Sequence, residues 1–417
     1  MTGVQTCALP IFSSSALSQL VVVLTAPVLT RIFSPQDYDV LGIYLMASNL
    51  LGALATLQFN NVIIVSNQDS EAWDALRICF LTSLILALLL AIVLALFSLL
   101  DYAAVIPSRV FKWYYFLPLS FLFTGWGMAL GSWANRKSHY RQLSRSRIIG
   151  ALLSPCIAIG LGKIIAGPDG LFWGLLAGQL YPVLYLSYAL LRTQRIGFDG
   201  LKTAFLSVFR RHKNFVKYSL VSELMNNLIN QLPVFFLVGT QPHNGMIGNY
   251  NLCNRMLALP VNVISGSFGE VFRQQASADF HQQGNSNGVF LMTLKTLSMM
   301  ALLPFLGVMI FGPDLFMVFF GSRWQMAGIF SSVMAPMFFF KFISSPLSYM
   351  YFIAGRQRED FLGHVVMLVS TLLIFALSRY LDWSVRLTFF LYGMVFSAIY
   401  VIYLMRSYKF SRGLSAA

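Results

Sequence analysis

Charge is scarce in this chain. Of 417 residues only 29 are Lys or Arg and 15 are Asp or Glu, 11% in all, against about 25% in an ordinary soluble domain. A soluble chain so poor in charge could not cover itself with polar surface. Cysteine is rare as well. Cys7, Cys79, Cys156 and Cys253 stand singly, with no CxxC or Cys/His spacing, so neither a disulfide framework nor a zinc site is expected. The histidines at 139, 212, 243, 281 and 364 are equally scattered and read as loop or interface residues. No Ser/His/Asp arrangement, glycine-rich phosphate loop or close carboxylate pair within an apolar stretch occurs, which removes the usual enzyme constellations. No cofactor or metal is implied, and no repeated filter-like element supports a channel.

What the chain has is apolar length. Hydrophobic residues make up 57%, and Phe alone numbers 37. A helix crosses a bilayer with about 20 apolar residues. Twelve stretches qualify as candidate spans: 12–33, 39–65, 77–100, 113–134, 146–166, 170–191, 217–239, 245–269, 288–311, 325–354, 361–379 and 384–405. The runs are continuous instead of alternating every second residue, which excludes a β-barrel. Residues 1–11, MTGVQTCALPI, resemble the translation of a sequencing adapter read from a GTG start codon. They are expected to be an assembly scar outside the fold, with the first span beginning near Phe12 and no signal peptide before it.

The basic residues sort into alternate gaps. Arg136, Lys137, Arg141, Arg145 and Arg147 follow the fourth span. Arg192, Arg195, Lys202, Arg210, Arg211, Lys213 and Lys217 follow the sixth. With Arg77, Arg273, Arg356, Arg358, Arg406, Lys409 and Arg412 they make nineteen on one side. The other side holds seven: Arg31, Arg109, Lys112, Lys163, Arg323, Arg379 and Arg386. The richer side is assigned to the cytoplasm, which puts both termini inside. A formal charge of +14 would suggest nucleic acid in a soluble protein. Beside apolar spans it points to anionic headgroups instead, so membrane lipids are expected partners and nucleic acid is not.

The polar segment 193–216 divides the chain into bundles of six spans at 12–192 and 217–406, with a tail at 407–417. Six crossings give both halves the same orientation, so any repeat is a parallel one. A faint echo exists: LGIYLMASNLL at 41–51 against IGNYNLCNRML at 247–257, each with Gly-x-Tyr entering the second span of its half.

Three cations remain inside spans: Arg255, Lys295 and Lys341. A mid-membrane Arg costs about 2.5–3.5 kcal/mol even on lenient insertion scales. Arg255 is read either as a bidentate phosphate contact or as the partner of Glu223. Lys295 and Lys341 either line a cavity or snorkel to an interface. The seventh span carries Glu223, Asn226, Asn227, Asn230 and Gln231 at helical spacing, followed by Pro233. That face belongs to a wet cavity or to interhelical hydrogen bonds. Asn254 neighbours Arg255 on the eighth span. Gln58, Asn60 and Asn61 lie near the cytoplasmic end of the second, and the Gly127/Gly131 pair reads as ordinary close helix packing.

TAPVLTRIFSPQDY at 25–38, LPVFFLVGT at 232–240, GNYNLCNRMLALPVNVISGSFGEVFRQQA at 248–276, FGPDLFMVFFGSRWQMAG at 311–328 and APMFFFKFISSPLSYMYFIAGRQRED at 335–360 together resemble a known family. It is the oligosaccharide-lipid flippases, the Wzx-type O-antigen translocases of the multidrug/oligosaccharidyl-lipid/polysaccharide exporter superfamily. The resemblance runs from about residue 14 to 406. It implies two pseudo-symmetric six-helix bundles around a central cavity. It also implies alternating access, with a polyprenyl-pyrophosphate-linked oligosaccharide moved from the cytoplasmic to the periplasmic leaflet of a bacterial inner membrane. The substrate would be an O-antigen or other surface-polysaccharide repeat unit, as in lipopolysaccharide export, and other polysaccharide-assembly proteins become candidate partners. Arg255, Pro233, Pro260 and Pro346 match positions of the family pattern. Two departures stand out: Asp39 replaces a Gly, a change expected to alter only a loop, and Gln58-Phe59-Asn60 replaces an Arg-Tyr-Glu.

The expectation is therefore an all-α polytopic flippase, not an enzyme. Arg255, Asn254, Asn226, Asn230, Lys295 and Lys341 would hold the headgroup, and Glu223 would couple an ion or pair with Arg255. The alternatives are a drug/cation antiporter of the same superfamily and a membrane-embedded glycan ligase or polymerase. The first would want acidic residues central to spans 1–6, which have none. The second would need an exofacial segment longer than the dozen or so residues available.

Overall fold

The computed structural model describes residues 3–66, 68–99, 112–193, 201–214, 217, 219–240 and 244–413, with the side chains of 3–15, 201–204 and 214 excepted. Arg109, Arg195 and His243, and the side chains of Cys7 and Lys202, lie outside those residues. Among them the chain forms helices and no strand. In order these are α1 (Gly3–Ile32), α2 (Pro35–Gly52), α3 (Phe59–Val65), α4 (Asp69–Leu99), α5 (Leu117–Arg136), α6 (Tyr140–Gly162), α7 (Asp169–Leu191) and α8 (Leu201–Asn214). Then come α9 (Leu220–Thr240), α10 (Met246–Pro260), α11 (Gly266–Gln283), α12 (Asn287–Phe320), α13 (Gln325–Leu347), α14 (Met350–Ile353), α15 (Gln357–Tyr380) and α16 (Val385–Ser411). A π-helical turn, Val261–Ser265, joins α10 to α11.

Each of the twelve expected spans coincides with a helix or an interrupted pair, and residues 3–11 continue α1 in backbone. Among the described residues seven segments are long and apolar enough to cross a membrane: α4, α6, α7, α12, Ser322–Ile353 (which contains α13), α15 and α16. The second and eighth spans fall short for a visible reason, since both are broken. α2 starts cleanly. Ser34 Oγ accepts from the Asp37 N–H, the Ser34 N–H donates back to Asp37 Oδ2 at 2.9 Å, and Pro35 fills the first turn. It ends at Gly52, and the chain resumes as α3 only at Phe59. No proline or glycine lies between; instead Leu57 and Gln58 both take left-handed φ, +48° and +66°.

The chain divides into two compact units, Met1–Val234 with His243–Gly245, and Phe235–Pro242 with Met246–Ala417. The basic stretch 193–216 falls inside the first. The division comes one residue after Pro233, whose missing N–H interrupts the α9 ladder. In the first unit α6 packs along α7 and α1, and α4 packs along α5; in the second α13 lies along α12 and α16.

The echo at 41–51 and 247–257 extends to the contacts of its two tyrosines. The Tyr44 ring meets Phe172, near the start of α7, at 5.0 Å, and its hydroxyl shares a 2.6 Å hydrogen bond with Ser120 of α5. The Tyr250 ring meets Phe389, near the start of α16, at 5.3 Å and Phe330 of α13 at 6.3 Å. Each Gly-x-Tyr tyrosine therefore touches the fourth and sixth spans of its own half. The break at 53–58 also falls in nearly the same register as the π turn at 261–265.

Ion pairs respect the sorting of charge. Arg136 and Lys137 reach Asp69, Arg77 reaches Asp74, and Arg211 and His212 reach Glu71 at 3.0 and 3.2 Å. In the second unit Arg356 and Arg406 share Glu359. Lys112, from the set of seven, pairs with Asp169 instead. Among the described residues no ion pair has a cation of one set beside an acid from the gaps of the other.

Asp39 does more than alter a loop. It lies inside α2, 0% exposed, and its Oδ2 accepts a 2.7 Å bond from the Gly245 N–H of the same unit. Gly245 needs to be glycine there: its φ is +79°, and a Cβ would come 2.8 Å from Pro35 Cβ. Asp39→Ala strips that N–H of its acceptor and is expected to destabilise the protein by about 1–3 kcal/mol. Asp39→Asn, which keeps an oxygen, should cost less. Melting temperatures of the purified variants check this, and an alanine variant melting with wild type would show that the clamp contributes nothing.

Candidate functional site

The polar residues of α9 form a ladder at i,i+4 spacing. Asn227 Nδ2 donates to Glu223 Oε1 at 3.3 Å, and Asn230 Nδ2 donates to the Asn226 carbonyl at 2.9 Å. Glu223, Asn226 and Asn230 are exposed, and Asn227 is half-buried. Amide groups on a lipid-facing surface would lose their water without replacement. Their mutual bonds meet part of that need and leave further donors free to act. Among the described residues it is the far end of α9 that is pinned: Phe236 stacks on Phe375 at 4.7 Å and 11°, and Arg379 donates to the Gly239 carbonyl at 2.5 Å.

The other expected residues belong to the second unit. Arg255 is exposed on α10 with Asn254 half-buried beside it. Lys295 is exposed on α12, and Lys341 is half-buried on α13 with its Nζ 5.5 Å from the Phe338 ring centroid. A cation over an aromatic face gains about 0.5–2 kcal/mol, more when water is excluded. No acidic side chain pairs with Lys341 or Lys295 among the described residues. α12 and α13 pack along one another, so both lysines lie on one helix pair. Pro346 cannot bond to the Phe342 carbonyl one turn back; Ser265 Oγ, from the π turn, donates to it at 2.9 Å. That bond ties the interruption after Arg255 to the helix carrying Lys341.

A second polar group was missed as a unit by the sequence reading. Around the break in the second span, Thr56 Oγ1 donates to Asn60 Oδ1 at 2.7 Å, Asn60 Nδ2 to Asn61 Oδ1 at 3.4 Å, and Asn61 Nδ2 to Gln58 Oε1 at 2.7 Å. The available signal was three carboxamides within four residues, 58–61, in an apolar run.

Each unit holds an interrupted helix at nearly the same distance from a tyrosine with matching contacts, Arg255, Lys295 and Lys341 all lie in the second unit, and the apolar segments mark a multi-pass membrane protein. Solved structures share the fold. The lipid II flippase MurJ in an inward closed conformation matches with TM-score 0.71 and 14% identity over 97% of this chain and 90% of that one. An inward-facing multidrug resistance MATE family transporter of the MOP superfamily matches with TM-score 0.65 and 14% identity over 95% and 93%. A MOP superfamily transporter from Pyrococcus furiosus gives 0.56 and 14% over 97% and 95%. A comparison with curated proteins returned no match. The chain belongs to the polysaccharide biosynthesis protein family, whose model matches residues 28–328.

Proposed function

We propose that this protein flips a polyprenyl-pyrophosphate-linked oligosaccharide, an O-antigen or other surface-polysaccharide repeat unit, from the cytoplasmic to the periplasmic leaflet of a bacterial inner membrane. The observation carrying the reading is the polysaccharide biosynthesis family match over residues 28–328 on a fold shared with a lipid flippase. The physical problem fits it. A sugar-pyrophosphate head cannot cross about 30 Å of hydrocarbon unaided, while a prenyl tail stays in lipid. Twelve spans in two six-helix halves, with both termini cytoplasmic, would move it by alternating access. Arg255 is the leading pyrophosphate contact, because a guanidinium grips two oxygens at once. Asn226, Asn230, Asn254, Lys295 and Lys341 assist, and Glu223 serves as ion-coupling group or as partner to Arg255.

Deleting the gene is expected to strand lipid-linked repeat units on the inner leaflet. Oxidation with impermeant periodate, compared between intact spheroplasts and inverted vesicles, reads the leaflet. Accumulation outside would instead indicate a ligase or polymerase. Unchanged glycan export combined with new sensitivity to cationic dyes would indicate the antiporter.

A further inference from the structure

We propose that the first unit holds an uncharged glycan-binding site, made by the carboxamides of Gln58, Asn61 and Gln179 beside Trp126, that hydrogen-bonds sugar hydroxyls. The inference rests on the flippase reading for the nature of the cargo and adds where its sugars are held.

The cluster at 56–61 is not there to repair the broken helix. The Ala55 carbonyl, freed by the break, is taken by Ser83 Oγ at 2.8 Å, and the Ile63 and Ser66 carbonyls by the Arg136 guanidinium at 3.0 and 2.6 Å. Among the described residues the carboxamide groups bond only to Thr56 and to each other. Their chain runs from the Thr56 hydroxyl to the Gln58 carbonyl oxygen, which leaves the Gln58 Nε2 amide at the end as an unused double donor. That nitrogen is not among the fully enclosed polar atoms, although the residue is only 7% exposed. Leu57 and Gln58 are held left-handed without glycine, a strained conformation for residues with a Cβ. That turn takes Gln58 out of the α2 register.

A separate observation supplies the acceptor. Gln179 Oε1 on α7 is buried with no hydrogen-bond partner. Gln179 shares its helix face with Val183 and Leu186, which pack in one core with Phe59, Val62 and Ile63 of α3. Leu57 and Trp126 pack against that core too, half-buried. The Trp126 indole N–H is already committed to the Phe80 carbonyl at 3.3 Å, so the ring is what it offers.

A sugar hydroxyl both donates and accepts, so the several hydroxyls of one glycan can answer an orphaned carbonyl and a spare amide alike. An aromatic ring beside a few placed polar groups is the usual make-up of a small-molecule site. A phosphate would find no cation among these four side chains. The three intramembrane cations all belong to the second unit.

The test uses full-length protein in nanodiscs and two probes: polyprenyl pyrophosphate, and the lipid-linked repeat unit extracted from the deletion strain. Gln58→Leu and Gln179→Leu should each weaken binding of the repeat-unit lipid about tenfold and leave polyprenyl pyrophosphate within twofold of wild type. Gln58→Asn, which keeps the amide on a shorter arm, should fall between and guards against a leucine variant that fails to fold. Equal weakening of both lipids, or none of either, overturns the site. Wild-type protein that binds neither lipid overturns the flippase reading, and the site with it.

Discussion

Arg255→Ala is expected to cut surface-glycan export on the order of a hundredfold while the protein stays folded in the membrane. The side chain is exposed on α10, so truncation opens no cavity in packed core. A bidentate guanidinium–phosphate contact consists of two charge-assisted hydrogen bonds worth about 1.5–3 kcal/mol each. Losing most of that pair corresponds to about two decades in affinity or rate. Arg255→Lys keeps the charge but not the fork and should recover only part of the activity. Export is read from surface polysaccharide in a strain dependent on this gene, beside membrane protein level and melting temperature. Normal export in the alanine variant would sink the headgroup role. A protein lost from the membrane would show that Arg255 is there for structure.

The largest effect on stability is expected at Gly328. On α13 it faces α12 so closely that a Cβ would come 2.5 Å from both the Gly312 carbonyl oxygen and Pro313 Cα. Both obstacles are backbone, and the proline ring stiffens one of them, so no rotamer change relieves the clash. With lipid on the outside, helix association depends on such close approach more than on burial of apolar surface. Gly328→Ala should therefore cost about 3 kcal/mol, the upper part of the overpacking range, and Gly328→Leu should leave little folded protein. Gly307→Ala on α12, where a Cβ meets nothing within 4 Å, is the control and should melt at or above wild type. If Gly328→Ala melts with that control, the α12–α13 contact is softer than the structure shows.

Helix positions were legible because apolar runs of bilayer length have one satisfactory backbone solution. The interruptions were only partly legible. Pro260 marks the π turn, but nothing at 53–58 announces a break, since its left-handed residues are Leu57 and Gln58 instead of Gly or Asn. Asp39 read as a loop variant because a carboxylate among apolar residues says nothing of its acceptor role until Gly245, 206 positions away, is placed beside it. Individual polar residues were easy to pick out. Their grouping was not, because the ladder on α9 and the cluster at 56–61 depend on which face each side chain takes and on where the helix stops.

The way α9 is fastened bears on how the protein is made. Its amide-rich first turns would leave the translocon poorly matched to lipid, and it is not among the seven segments apolar enough to stand alone. Its fastenings, Phe236 on Phe375 and Phe389, and Gly239 on Arg379 some 140 residues downstream, come from α15 and α16, which are synthesised much later. The seventh span must therefore wait, attended or loosely inserted, until α15 and α16 have followed it. A nascent chain stopped before residue 375 would expose that helix to membrane quality control.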